Sequence, residues 1–342
     1  MIFQLKKSAY KMKPLVSFVL GIYNAERTLR ECLDSIFIQK FPLNNYEVII
    51  VDGGSNDSTL DIVKSYMVKY KNINLIHNPY KLSEGRGKGK DQGVDASKGE
   101  FIVFLDHDNI LEKDSWLKEM LEPFKEKEIM ASQSLLKSRK KDTNFLKYIN
   151  EIGVEDPFAV PHSLVAQISL MPSKFKLEKN KYYIYKLSSN RRLFFGANGC
   201  IFRKSVFKKI NGYTRDVDVS ASMAHKNMSV AVPAFPRVHH KTSNNMLSFL
   251  KKKAIYFHRF ISNEYKTKSF KWTQIGNPPS TIRFFLMVLT NLTILVPLAA
   301  VIPKIIQDKK LFWLLHPFYV FFITLLYGFL TITKIKNFFE YL

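Results

Sequence analysis

The sequence predicts an α/β fold, a Rossmann-like, doubly wound and mainly parallel sheet, followed by C-terminal membrane helices. Apolar runs of strand length alternate with amphipathic runs of helix length through the first third of the chain. Turn residues cluster just beyond the strands, and two uncharged stretches lie near the C-terminus. Alternation at that spacing argues for right-handed crossovers and hence parallel pairing. Uncharged runs of about twenty residues match the apolar thickness of a bilayer.

LVSFVLGIY (15–23) is the first strand, apolar throughout as a strand covered on both faces must be. AERTLRECLDSIFIQ (25–39) follows with apolar positions at helical spacing, and YEVIIVD (46–52) is the second strand. STLDIVKSYMVKY (58–70) reads as a helix, INLIH (73–77) as a short strand, KDQGVDASK (90–98) as a helix with a polar surface and EFIVFLD (100–106) as a fourth strand. Much farther on, MLSFLKKKAIYFHRFI (246–261) mixes Lys251, Lys252, Lys253 and Arg259 with Leu250, Ile255, Phe257, Phe260 and Ile261. It reads either as a helix lying among lipid headgroups or as an amphipathic helix packed on the soluble part.

FFLMVLTNLTILVPLAAVIP (284–303) and LFWLLHPFYVFFITLLYGFLTIT (311–333) contain no Asp, Glu, Lys or Arg. Helices apolar all round at this length suit lipid better than a soluble core. Joined by KIIQDKK, they predict a membrane hairpin that returns the C-terminus to the side of the soluble part. Lys304, Lys309 and Lys310 in that connection strain the positive-inside rule, and a shallow re-entrant hairpin around Pro297 and Pro303 is the alternative. The chain thus divides into a basic tail (1–13), an α/β domain (14–245), an amphipathic, interfacial segment (246–282) and a membrane hairpin with its tail (283–342).

Charge and cysteine usage bound the function. Against 29 Asp and Glu stand 52 Lys and Arg, a formal net charge of +23, which implies an anionic partner: nucleic acid, a phosphorylated substrate or an acidic membrane surface. Cys32 and Cys200 are too few for a disulfide framework or a cysteine metal cage, which suits a reducing compartment. MIFQLKKSAYKMK has no apolar stretch behind its lysines and does not read as a signal peptide, so the α/β domain is expected on the cytoplasmic face of the membrane.

In doubly wound sheets, ligands bind beyond the carboxyl ends of the strands. The residues there are Tyr23, Asn24 and Glu26 after the first strand, DGGSNDST (52–59) after the second and DHDN (106–109) after the fourth. Gly53 and Gly54 allow a tight turn and close approach of a ligand, and Ser55, Asp57 or Ser58 can cap the helix behind them. Two carboxylates one residue apart on a strand end can offer oxygens to a hard divalent cation, which takes one or two protein carboxylates and fills its remaining positions with water and phosphate. They can equally form a solvated turn.

VSFVLGIYNAERTLRECLDSI, VIIVDGGSNDSTLDIV, GRGKGKDQGVDASKGEFIVFLDHDN and FFGANGCIFRKSVFKKINGY, in that order, resemble the family 2 glycosyltransferases of GT-A fold, which transfer sugars from nucleotide-sugar donors with inversion. The resemblance runs over residues 14–240. It implies that Ile22, Tyr23 and Glu26 line a nucleotide pocket and that Asp52 contacts the base. Asp106 and Asp108 match the family's D-x-D, with Asp108 the direct ligand of Mn²⁺ or Mg²⁺ and Asp106 nearer the ribose. The segment from Gly85 to Gly93 matches the loop beside the diphosphate, where Arg86, Lys88 and Lys90 would neutralise phosphate charge; Asp91 stands where the family commonly has Asn. The segment Phe195 to Lys204 matches the floor beneath donor sugar and acceptor, where Gly196, Asn198 and Gly199 admit the sugar and the Asn198 amide bonds a hydroxyl. The family's general base is the Asp of a Glu-Asp pair; here Arg215 replaces the Glu, Asp216 is the first choice and Asp218 the reserve. His239 and His240 stand where many relatives have one histidine near the metal, and His239 is the expected ligand.

The resemblance implies transfer from a nucleoside diphosphate sugar, with UDP favoured, to a hydroxyl acceptor, and without the QxxRW of processive synthases one sugar per encounter is expected; the expected membrane attachment points to a lipid-linked or cell-surface glycan as acceptor. The basic clusters LKSRKK (136–141) and NRR (190–192) favour an anionic or lipid-linked acceptor. A polyprenyl phosphate acceptor is the alternative, and an inactive membrane scaffold is a third reading. The charge alone admits nucleic acid, but no recognition motif accompanies it, so no nucleic-acid partner is expected.

Overall fold

A computed structural model describes residues 14–81, 83–152, 166–167, 182–188, 193–196, 198–259 and 278–340. The N-terminal tail, the basic cluster at 190–192 and residues 260–277 of the amphipathic segment lie outside these. Strands β1 (Val16–Ile22), β2 (Tyr46–Asp52), β3 (Ile73–His77) and β4 (Phe101–Asp106) alternate with helices α1 (Leu29–Phe37), α2 (Thr59–Lys69) and α3 (Gly89–Ala96), as the alternation predicts. All pair in parallel in the order β3-β2-β1-β4. Every residue of β1 is buried because its two faces feed separate cores. Phe18 and Leu20 join Leu29, Leu33 and Ile62 of α1 and α2, whereas Val19 joins Val94 of α3 and Phe104. Gly93 lets α3 reach the sheet: a Cβ there would come within 2.4 Å of Val19 Cγ1.

The chain continues through β5 (Asn109–Leu111), α4 (Trp116–Leu121), β6 (Ile129–Gln133), β7 (Leu135–Leu136), α5 (Asn144–Ile152), β8 (Ala166–Gln167) and β9 (Tyr182–Lys186). It then forms β10 (Leu193–Phe194), β11 (Cys200–Arg203), α6 (Ser205–Lys209), α7 (Asp216–His225), β12 (Ser229–Pro233) and β13 (Arg237–His240). Among the described residues the central sheet has eight strands, extended past β4 by β11, β6, β12 and β9. β11 runs antiparallel to both β4 and β6, and β9 antiparallel to β12, so the second half departs from the parallel rule that the first half obeys. A small sheet, β5-β13-β7, crosses the carboxyl end of β4 and brings β13 beside the Asp-His-Asp turn.

The C-terminal part is α8 (Met246–Arg259), α9 (Pro278–Leu292), α10 (Leu295–Asp308), a 3₁₀ turn at Leu311–Leu314 and α11 (Leu315–Glu340). Leu311–Lys334 is long and apolar enough to cross a membrane by length and composition. The first uncharged stretch is not one straight helix, as a broken span or the re-entrant alternative would have it: Phe284–Leu292 and Leu295–Asp308 meet at 81°. Ile294 sits at φ +58°, and the Thr293 hydroxyl both donates to Thr290 O and accepts from Val296 N at 3.2 Å, so a local side-chain bond replaces the helix ladder at the break. Pro297, in the first turn of α10, lacks an N–H that the turn would leave unpaired anyway. An aromatic cluster that includes Phe145, Tyr148, Phe249, Trp313 and Tyr319 fastens these helices to α5 of the α/β domain.

Candidate active site

The loops that leave β1 and β2 lace together. The Asp52 carboxylate, 3% exposed, accepts from Gly54 N at 2.9 Å, from Ser55 N and from the Ser55 hydroxyl at 2.6 Å, so it is turned into its own loop. Gly54 takes φ +84°, open to glycine at little cost. The Ser55 hydroxyl also accepts from Asn24 N, and Thr59 Oγ1 from Ala25 N. Glu26 accepts from Ser58 N at 3.1 Å and thereby serves the start of α2, where a negative charge meets the positive end of the helix dipole. Ile22 is buried and Tyr23 half exposed beside this loop pair.

At the end of β4 the two aspartates part. Asp106 Oδ1 lies 2.9 Å from Nζ of Lys90, a lysine only 2% exposed. Burial alone would push the Lys90 pKa down, but Asp106, Asp216 and Glu84 around it hold the ammonium well above its ordinary value. Asp108 Oδ2 faces His240 Nε2 at 3.4 Å, and its Oδ1 accepts from Asn109 Nδ2. Burial alone would raise the Asp108 pKa, yet the His240 imidazole, with His107 and Lys252 farther out, keeps the carboxyl well below the usual range. The register that sets His240 opposite Asn109 places that imidazole here.

His239, the metal ligand expected from the sequence, does not face Asp108; its neighbour His240 does. Successive strand residues point to opposite faces, and His239 Nε2 lies 2.9 Å from Asp142 Oδ2, in a buried pocket turned away from Asp108. Among the described residues no group of three or more His, Cys, Asp and Glu could hold a metal by itself. Asp108 and His240 form a carboxylate and imidazole pair that could contribute two ligands to a divalent cation, with phosphate and water in its remaining positions.

Residues 85–93 meet the segment that precedes α7. Asp91, fully buried, accepts from Arg86 NH1 at 2.6 and 2.7 Å, from Gly87 N and from Tyr213 N, each at 2.7 Å. Arg86 NH1 is thus taken up by Asp91, and Asp in place of the family's Asn comes with its own counter-charge. Replacing Arg86 by Met should cost about 1–3 kcal/mol, since it strands a buried carboxylate whose partner is half exposed. Asp91→Asn in the same chain should recover most of the loss in a urea melt.

Tyr213 carries the link onward. Its hydroxyl donates to Asp216 Oδ1 and lies 3.3 Å from Glu84 Oε1; burial, then those two carboxylates, push its pKa well above the ordinary value, so it stays a donor. Asp218, by contrast, is buried and tied to Arg215 NH1 at 3.0 Å. Gly196 makes room for Asp216: a Cβ would come within 2.6 Å of its Cβ and Cγ. Gln133 holds this floor by accepting from Gly196 N and donating to Asn198 O. Among the described residues Asn198 Oδ1 is buried without a hydrogen-bond partner. Gly199 differs from the role expected of it. At φ +73°, with a Cβ position 2.5 Å from Val238 Cγ2, it makes room for protein instead of sugar. Gly199→Ala should lower the melting point by the equivalent of about 1–3 kcal/mol.

The structure thus gathers Lys90, Asp106, Asp108, Gly196, Asn198 and Asp216 at one edge of the sheet and adds Tyr213 and His240. The family model described as Glycosyl transferase family 2 matches residues 17–210, more than half of the chain. The chain belongs to glycosyl transferase family 2. Its α/β sheet is the GT-A fold. Similarity extends to a poly(ribitol-phosphate) beta-glucosyltransferase of Bacillus spizizenii, 38% identical over 103 residues, covering 30% of this chain and 16% of that protein. Glycosyltransferase GlyG of Streptococcus pneumoniae is 32% identical over 117 residues, covering 34% of this chain and 37% of that protein. The chain therefore spans well under half the length of either relative. Among solved structures, the mannosyltransferase PcManGT of Pyrobaculum calidifontis in complex with GDP-Man and Mn²⁺ shares the fold at TM-score 0.52, with 14% identity over 92% of this chain and 86% of that one.

Proposed function

We propose that this family 2 protein moves one sugar from a nucleoside diphosphate sugar, with UDP-sugars favoured, to a hydroxyl of a lipid-linked or cell-surface glycan, with inversion and with a divalent cation, Mn²⁺ or Mg²⁺. The observation that carries the reading is the pairing, on one sheet edge, of Asp108 beside His240 with Asp216 beside Tyr213, with buried Lys90 between Asp106 and Asp216. Asp108 and His240 would hold the cation, which when bound would supply electrostatic stabilisation to the leaving diphosphate.

The chain's own residues do the rest. Asp216 takes the proton of the acceptor hydroxyl as its oxygen attacks the anomeric carbon from the face opposite the diphosphate. Tyr213 fixes that carboxylate by hydrogen bond, and Gly196 leaves the space in which it turns. Lys90 balances the acidic cluster, so that a dianionic diphosphate can approach. Asn198 Oδ1, buried and unpaired, can accept a bond from a sugar hydroxyl. A phosphorylated glycan is a reasonable acceptor to try first, given the basic residues at 137–141 and the poly(ribitol-phosphate) named for one relative. In this reading the apolar C-terminal helices attach the protein to a membrane, with the catalytic part on the cytoplasmic side; the length and hydropathy of Leu311–Lys334 support the attachment.

The test is a panel of UDP- and GDP-sugars with Mn²⁺, the full chain and polyol phosphate or lipid-linked acceptors, with the product's anomeric configuration read by NMR. An α-linked donor should give a β-linked product. Retention of configuration, or no donor consumed with any acceptor, would sink the reading. Tyr213→Phe should retain the fold and lose roughly tenfold in turnover, as expected for one hydrogen bond to a charged group.

A further inference from the structure

The apolar C-terminal helices do more than mark membrane attachment, because their packing fixes how deep they can go. Helices α8 and α11 lie side by side, with Phe249 against Tyr319 at 5.9 Å between ring centroids and Phe257 stacked on Tyr327 at 5.3 Å. Both pairs share one offset, 319 − 249 = 70 and 327 − 257 = 70, so the helices run parallel and in step. The lysines Lys251, Lys252 and Lys253 therefore stand level with residues 321–323 of α11. Lys252 Nζ donates to Thr242 Oγ1, just past β13, and Lys253 is buried with its ammonium over the Phe249 ring. Phe249 in turn lies against Phe145 of α5 at 5.6 Å between ring centroids, so that face of α8 packs on the α/β domain.

The opposite end of the connection is pinned as well. Lys310 pairs with Glu151 of α5 at 2.9 Å, Tyr148 OH meets His316 Nδ1 at 2.8 Å, and Tyr319, Val320 and Ile323 are buried against the domain. The α10–α11 connection thus sits on the α/β domain and not across a bilayer from it. From Tyr327, the last residue level with a described aromatic of α8, to Thr333, the last before Lys334, α11 advances six residues. At 1.5 Å per residue that is about 9 Å, against the ~30 Å of a hydrocarbon core. The half of α11 that packs on a lysine-bearing helix cannot supply the missing length, since a lysine at bilayer mid-depth costs about 2.5–3.5 kcal/mol on insertion scales.

What remains is an apolar surface. Phe285, Leu289, Ile306, Phe318, Phe322 and Phe329 are between 45% and 70% exposed on α9, α10 and α11, and the break of 81° turns α10 nearly at right angles to α9, so the two do not form one straight span. Lys251 and Lys309 are exposed in the same part of the molecule. We infer that the protein is monotopic: it seats these exposed faces in one leaflet of an anionic bilayer and crosses no membrane. The inference rests on the membrane reading above and is independent of the chemistry at the crevice.

Single cysteines decide it, because native Cys32 and Cys200 are both wholly buried and give little background. Lys64→Cys in α2, Gln307→Cys at the end of α10 and Lys334→Cys in α11 are treated with a membrane-impermeant maleimide in sealed right-side-out and inverted vesicles. All three should label from the same face. Lys334→Cys labelled only from the face opposite Lys64→Cys would mean one crossing, and Gln307→Cys opposite Lys64→Cys a spanning hairpin; either overturns the inference. The unsubstituted chain should float at least tenfold more with vesicles containing phosphatidylglycerol than with phosphatidylcholine alone. Failure to float with either also overturns it. None of these outcomes reads sugar transfer, so a failed transferase assay and a failed topology are told apart.

Discussion

Asp108→Asn should lose at least about 10³ in metal-dependent turnover, because several kcal/mol of charge stabilisation depend on that carboxylate. Its geometry separates it from Asp106. Asp108 faces His240 and is held ionised there, whereas Asp106 is the nearest counter-charge of buried Lys90. Asp106→Asn should therefore act in part through stability, lowering the melting point by stranding a buried ammonium. Asp108→Asn removes a carboxylate that His240 favours in its ionised form, so it should also lower the melting point of the metal-free protein, but its loss of turnover should far exceed what that accounts for. Turnover and melting measured on the same two preparations check both expectations, and the reverse pattern would exchange the two aspartates' roles.

Asp216→Asn should cost 10² to 10⁴ in rate with a hydroxyl acceptor while donor binding stays as it was, the size expected of a lost general base. Asn keeps an oxygen for the Tyr213 hydroxyl to donate to, so the segment before α7 should hold its place. A polyprenyl phosphate acceptor arrives already ionised and should lose much less, which makes this one substitution diagnostic of acceptor class. Asp218→Asn is the control. Its carboxylate is buried against Arg215, so its loss should appear as lower stability, with the rate per folded molecule nearly unchanged. The opposite ranking would return the base to Asp218.

Much of this was legible before any coordinates. β1 to β4 fall where apolar runs end in turn residues, and β2 covers the residues read as YEVIIVD, because buried parallel strands leave an unbroken apolar signature. The convergence of three strand ends on one crevice follows from topology alone. Less accessible were features set by pairing across the chain. That His240 and not His239 meets Asp108 depends on the register of β13 against β5. That Asp52 closes its own turn, that Glu26 serves α2 and that Arg86 answers Asp91 depend on loop geometry that no periodicity encodes. Tyr213 had one visible signal, its spacing of three from Asp216 at the start of a helix, which brings a side chain ahead of the first turn back onto it. The broken α9–α10 pair was hidden for another reason: a hydropathy average carries the threonines along with their apolar neighbours, while the hydroxyl of Thr293 accepts from Val296 N just where the ladder breaks.

The most direct measurement of the central claim is a melting curve of the full chain with UDP, GDP and their sugars, each with and without Mn²⁺. A nucleoside diphosphate at a hundred times its dissociation constant stabilises the folded state by about 2.7 kcal/mol, which for a domain of this size raises the melting point by about 5–10 °C. The account predicts such a rise with at least one nucleotide, dependent on Mn²⁺ and absent in Asp108→Asn. If no nucleoside diphosphate moves the melting point with the cation present, or if Asp108→Asn responds as the native chain does, the crevice is not the donor site described.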